Sequence, residues 1–147
     1  LNQKFIEIRN HLKKELSIIF IDIDDFKLIN DVHGHLLGDQ ILIEFSIKVK
    51  SLLSSNDILG RWGGEEFIII SDQTSLKYVK DIAEKIRIGI NNTKFTKNIN
   101  LTASFGIASY EENDCINNLI QKADYGLYNA KQEGKNKVCF IDNLNKL

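Results

Sequence analysis

The sequence is short of charge imbalance, of long apolar runs and of cysteine, and each shortage closes off a class of function. Its 147 residues carry a net charge of -1, which gives no general attraction to nucleic acid or anionic membrane, so any phosphate binding has to be local. Apolar runs stop at four residues, as in IIFI from Ile18 to Ile21, far short of the roughly 20 needed to cross a bilayer. No charged, apolar and small-residue signal pattern opens the chain. A cytosolic domain without membrane insertion of its own is expected, whether or not a full-length protein is anchored. The two cysteines, Cys115 and Cys139, have neither CxxC spacing nor a Cys/His cluster around them, so reduced thiols in packed positions are expected rather than a disulfide or a zinc site. Repeats, linkers and low-complexity segments are missing too, and the length suits one domain over residues 1–147. No initiator methionine is present, so a fragment of a longer protein is expected.

What remains is an ordered succession of strand and helix periods. FIEIRNHL repeats its apolar positions at helical spacing. Leu16 to Ile23, LSIIFIDI, is β-rich and nearly continuous in apolar residues, as a central strand buried on both faces would be. DDFKLINDVHGHLLGD then reads as a short helix and a Gly-containing loop. From Asp39 a helical stripe of Ile41, Leu42, Phe45, Val49 and Leu52 follows. DILGRW and EEFIIIS read as two short strands joined by a two-residue turn at Gly63-Gly64, glycine being able to take the positive φ such turns need. Thr74 or Ser75 can cap the next helix, with its stripe from Leu76 to Ile90. Leu101 to Ala108 alternates as a strand with two different faces. A last helix, Ile116 to Ala130, stops near Gly134 before the strand KVCFI. The order is β-α-β-β-α-β with an additional helix and strand, an α+β sandwich of ferredoxin-like type on a mainly antiparallel sheet.

Carboxylates gather where these strands end. Alternation puts Phe20, Asp22 and Asp24 on one side of the first strand and Ile19, Ile21 and Ile23 on the other. A carboxylate buried in an apolar strand costs several kcal/mol unless something positive compensates it, so Asp22 needs a cation or a lysine. Glu65 and Glu66 alternate as well, so one of them joins Asp22 and the other serves elsewhere. Two carboxylates facing a phosphate-sized space suit Mg²⁺, a hard ion that keeps waters and substrate phosphates in its shell. Lys27, Lys131 and Lys135 can meet a polyphosphate, with backbone amides at the start of the helix after Asp24. Singly these features are ordinary: Gly-Gly turns are mostly structural, adjacent glutamates mostly solvated, and lysines at a helix end mostly surface charge. An EF-hand lacks its glycine and terminal glutamate at the right spacing, and His33 and His35 have no Cys/His partners for zinc.

Together, FIDIDDFKLINDVHGHLLGD, RWGGEEF and ADYGLYNAKQEGKNKV resemble the three blocks of the GGDEF family of bacterial diguanylate cyclases, in its GGEEF form. LNQKF is similar to the segment just after that family's N-terminal DxLT signature, which implies a domain that starts inside the motif, with a sensor or regulatory domain upstream. The resemblance implies a palm-type fold and condensation of two GTP into cyclic di-GMP by a homodimer, using Mg²⁺ or Mn²⁺ in its place. By motif position, Asp22, the Ile23 carbonyl and Glu65 would bind metal, with Glu65 also the catalytic base and Lys27 a catalytic phosphate contact. Asn30 and Asp39 match the guanine-reading positions, and His35 lies near the nucleotide. Lys131, Lys135 and the amides of Asp25 and Phe26 match phosphate contacts, and Gly64 a place where ribose approaches. The same residues also fit an inactive GTP- or cyclic-di-GMP-binding regulatory module. Two positions depart from the family. Its inhibitory RxxD motif reads SSND here, with Ser54 in place of arginine and Asp57 kept; a serine has neither the charge nor the forked donors of a guanidinium. Lys135 stands where arginine is common, which keeps charge and loses bidentate geometry.

Overall fold

Strand β1, Ser17–Ile23, is buried along its whole length and forms the centre of the sheet. The structure, a computed structural model, describes residues 16–72, 75–111 and 114–142; FIEIRNHL and Thr74 lie outside them. Downstream come α1 (Phe26–His33), α2 (His35–Leu52), β2 (Ile58–Arg61), β3 (Glu66–Ser71), α3 (Leu76–Asn91), a 3-10 turn at Thr96–Asn98, β4 (Ala103–Ser109), α4 (Ile116–Gln132) and β5 (Val138–Phe140). The sheet order is β2-β3-β1-β4-β5, with β1 antiparallel to both neighbours and β5 parallel to β4. This is the α+β architecture expected. None of the described helices is long and apolar enough to cross a membrane.

The alternation of β1 sorts the core into two layers. Ile19, Ile21 and Ile23 pack against α2 and α3 through Ile41, Phe45, Val79 and Ile86. Ile18 and Phe20 pack against α4 through Leu119, Ala123 and Leu127. Each fully buried side chain of this size is worth about 1.5–3 kcal/mol, so both faces are firmly held. On the α4 side the approach is set by glycine. A Cβ on Gly106 of β4 would lie 1.9 Å from the Ala123 carbonyl oxygen and 2.2 Å from the Leu127 nitrogen. Helix backbone therefore rests on strand backbone, which brings the end of α4 over the end of β1.

Three expectations are corrected. The helix read from Asp39 begins at His35, because the segment before it is a corner at the single residue Gly34, φ 83°, rather than a loop. The β2–β3 connection is wider than a two-residue turn, and neither Gly63 nor Gly64 has positive φ. There, the N–H groups of Trp62 and Gly63 both donate to the Glu66 carbonyl, at 2.8 and 3.4 Å. Arg61 closes the turn, its Nε and Nη2 donating to the Gly64 carbonyl at 3.0 and 2.6 Å. Cys115 is exposed at the N-cap of α4 instead of packed, although Cys139 is half-buried and both are free thiols. The 3-10 turn has no signal in the apolar periodicity. Of the two proposed caps, Ser75 is the one observed, accepting from the Tyr78 N–H.

Candidate functional site at the end of the central strand

β1 carries Asp22 to the end of the sheet, on the α4 face, where it is 6% exposed. Lys131, in the last turn of α4, sets its Nζ 2.8 Å from Asp22 Oδ2. Of the two partners that burial called for, a cation or a lysine, the lysine is present. Burial nevertheless pushes the Asp22 carboxyl above its ordinary range. The hydrogen bond and charge of Lys131 pull it down, the charges of Glu65 and then Glu66 push it up again, and the net direction is upward.

The glutamates divide differently from the expected alternation. Glu66 is the direct cross-strand partner of Asp22, whereas Glu65 precedes β3 and lies in the turn, where strand alternation no longer applies. Its backbone carbonyl accepts from the Ile23 N–H at 3.4 Å, and its charge bears on Asp22 more than that of Glu66. Both acids therefore serve the same corner, and the turn is what lets the first of them do so. A Cβ on Gly63 would come 2.9 Å from Glu66 Oε2, while one on Gly64 would meet no protein atom.

Around this corner the other candidates fall into two groups. Asp25 takes a left-handed conformation, φ 55°, as the N-cap of α1, and its carboxylate lies 2.6 Å from Lys135 Nζ. The Lys135 ammonium is held above its ordinary value by that hydrogen bond, with further support from the charges of Asp25, Asp24 and Asp22. Among the described residues, the amides of Asp25 and Phe26 donate to no protein acceptor and Lys27 forms no ion pair. The second group sits at the α1–α2 corner. Asn30 keeps its Oδ1 buried without a partner, and an ordinary donor there would satisfy it. His33 closes α1 and His35 opens α2, both exposed. Asp39, one turn into α2, lines a cleft of about 650 Å³ with Leu42, Phe67, Leu59 and Arg61.

Three functional positions were missed in the sequence. Asp24 is 7% exposed and accepts from Thr102 Oγ1 at 2.6 Å, Ser104 Oγ at 2.7 Å and the Asn136 N–H at 3.0 Å. The signal was the polar phase of β4, since a buried carboxylate beside an alternating Thr-Ser pair has hydroxyls within reach. At Gly38 a Cβ would lie 1.9 Å from Asn30 Oδ1, so a glycine inside the α2 pattern, next to Asp39, leaves room for the Asn30 side chain. Arg61 fixes the turn that carries Glu65, and only its position before the glycines hinted at that.

The donor set is oxygen-rich, and a buried carboxylate whose ionised form is penalised gains from a divalent cation. Among the described residues no three carboxylate, histidine or cysteine side chains make a ready cage. Such a site fits Mg²⁺, which takes one or two carboxylates and completes its shell with waters and phosphates.

Residues 1–137 match the family described as "Diguanylate cyclase, GGDEF domain". The chain is similar to diguanylate cyclase A of Treponema denticola, 39% identical over 135 residues that make up 89% of this chain and 36% of that protein. The response regulator PleD of Caulobacter vibrioides is 40% identical over 129 residues, 84% of this chain and 28% of the relative. The chain therefore spans about a third of the length of the curated relatives it matches. Among solved structures, the active GGEEF domain of a diguanylate cyclase from Vibrio cholerae aligns with a TM-score of 0.85 at 34% identity, over 96% of this chain and 91% of that one. The GGDEF domain of DgcB from Caulobacter crescentus, solved in complex with c-di-GMP, gives 0.84 at 26% identity, over 95% and 85%.

Proposed function

Because the chain belongs to the diguanylate cyclase GGDEF-domain family, we propose that it joins two GTP molecules into cyclic di-GMP, releasing two pyrophosphates, with one GTP held by each domain of a two-fold pair. The observation that carries this reading is the meeting of Asp22, Glu65 and Lys131, from three separate sequence blocks, at the end of β1. Asn30 and Asp39 bind the guanine edge, where a base without matching groups leaves buried polar atoms unpaired. His35 lies beside the nucleotide, and the open space over Gly64 receives the ribose. Lys27, Lys131 and Lys135 hold the phosphates, the last two exchanging Asp22 and Asp25 for them, while the amides of Asp25 and Phe26 donate at the start of α1. Asp22, Glu65 and the Ile23 carbonyl would hold Mg²⁺, or Mn²⁺ in its place, which would supply Lewis-acid chemistry at the hydroxyl and the departing oxygens.

Glu65 accepts the proton of a ribose 3′-hydroxyl. The 3′-oxygen bonds to the α-phosphorus of the facing GTP as the bond to the β-phosphate bridge breaks and pyrophosphate leaves. The same step in the opposite sense closes the ring. Neither subunit completes it alone, so an attached sensor domain that controls pairing would control the rate.

Incubating concentrated protein with GTP and Mg²⁺ and separating the nucleotides tests the reading. Cyclic di-GMP is expected from the parent chain, and Glu65→Gln is expected to lower its rate by at least about 10²- to 10³-fold. Tight GTP binding without turnover at any protein concentration would instead identify a regulatory binding module.

Feedback by the product is expected to be weak or absent. Asp57 Oδ2 accepts from the Ser54 N–H at 3.0 Å, the Ser54 hydroxyl at 2.8 Å and the Tyr78 hydroxyl at 3.0 Å. Burial pushes this carboxyl up, but bonds from Ser71, Ser54 and Tyr78 outweigh it and hold Asp57 below its ordinary range. An acid engaged with its own neighbours, with Ser54 where the family's motif has arginine, makes a poor site for a dinucleotide. Titration with cyclic di-GMP should leave the initial rate unchanged through the micromolar range; inhibition that disappears in Asp57→Ala would contradict this.

A further inference from the structure

The chain after α4 makes a turn that ordinary residues avoid. Gly134 has φ 108°, and the next two residues, Lys135 and Asn136, also have positive φ, at 62° and 47°. Non-glycine residues persist in that region when their surroundings over-determine them. Here the restraints converge on Asn136. Its N–H donates to the buried Asp24 carboxylate at 3.0 Å, and its side-chain oxygen accepts from Arg87 Nη1 at 2.9 Å. The same Arg87 nitrogen lies 3.4 Å from the Asn136 carbonyl. Arg87 is itself held by a forked pair of bonds to Glu84, at 2.9 and 2.6 Å, one helical turn earlier on α3. Asp24 is locked by Thr102 and Ser104. Between these two anchors, Lys135 has its N–H on the Ala130 carbonyl at 3.0 Å and its ammonium 2.6 Å from Asp25.

We propose that Arg87 and Asp24 are positioning residues for nucleotide binding: by holding Asn136 at its side-chain oxygen and at its backbone N–H, they fix the left-handed turn that aims Lys135 at the triphosphate. Arg87 acts from α3, a helix that contributes no residue to the site itself. The inference rests on the phosphate-binding role given to Lys135 above. Its physical content is that a long, flexible lysine gains affinity when its backbone direction is fixed in advance, since less freedom is lost on binding.

A double-mutant cycle read in GTP affinity tests it. Arg87→Ala is expected to weaken GTP binding about fivefold, as couplings between residues of one network commonly do, with kcat within about twofold of the parent. Asn136→Ala should reproduce that split, and it covers the case in which Arg87→Ala folds poorly. In a Lys135→Ala background neither substitution should weaken binding further, because nothing is left to aim. Equal loss with and without Lys135, or parent-like affinity in both single variants, overturns the proposal, as does a fall in kcat at unchanged KM. Because the cycle is read in binding, a parent chain that binds GTP without forming product sinks only the cyclase reading. A parent chain with no GTP affinity sinks both.

Discussion

Asp22→Asn is expected to make the protein more heat-stable at neutral pH while abolishing the proposed cyclase activity. The sign follows from the direction of the Asp22 shift. Burial, followed by the charges of Glu65 and Glu66, outweighs the pull of Lys131 and raises the folded-state pKa above the unfolded value. The folded chain then holds this proton more tightly, so stability falls as pH rises from the ordinary carboxylate range through the raised folded value and stays lower above it. An asparagine carries no such penalty. Breaking a buried ion pair is normally destabilising because it strands the partner charge, but the Lys131 side chain is 37% exposed and regains water. A gain of about 1 kcal/mol would appear as a Tm higher by roughly 2–4 °C in a domain of this size. Calorimetry between pH 5 and 8 checks it: the parent should gain on the variant as pH falls. Mg²⁺ should raise the Tm of the parent and leave the variant unmoved, while turnover drops by at least about 10²- to 10³-fold. A variant less stable than the parent at pH 7 would mean that the ion pair outweighs its desolvation.

Gly106→Ala is expected to be strongly destabilising. The new Cβ would press on the Ala123 carbonyl and the Leu127 nitrogen, at 1.9 and 2.2 Å, and both are backbone atoms that no rotamer change can move aside. Overpacking costs about 1–3 kcal/mol where side chains can yield; here the upper end applies, or a Tm lower by about 10 °C. The strain also acts on the site, because lifting α4 from β4 draws Lys131 away from Asp22. Gly64→Ala is the matching control for stability, since its Cβ would meet nothing within 4 Å. Equal Tm values for Gly106→Ala and the parent would mean that helix and strand are not in backbone contact.

What the sequence made legible was periodicity. The alternation of β1 placed Asp22 opposite Ile21 and Ile23, and its burial called for a cation or a lysine, of which the fold supplies the lysine as Lys131. The stripes of α2, α3 and α4 gave the core faces, and the three resembling blocks named the corner. Illegible were features fixed by backbone closeness or by single turns. A glycine at position 106 reads the same whether it bends a strand or admits a helix, and Gly38 the same whether it ends a helix or shelters Asn30. The double-glycine turn looked like a tight hairpin because its pair of glycines permits one, yet Arg61 draws the carbonyls of Gly63 and Gly64 into a wider loop. Asp24 was read only as a neighbour of Asp22, because its partners Thr102 and Ser104 lie some 80 residues further along.

In the proposed function, the ion pair between Lys131 and Asp22 makes ion and nucleotide depend on one another. A divalent cation arriving by itself competes with the ammonium for the carboxylate, and a triphosphate arriving by itself strips that carboxylate of its counter-charge. Arriving together, each resolves the vacancy the other creates. Affinity for one should therefore climb with occupancy by the other, and by the same factor in both directions, so that neither fills the corner for long unaccompanied.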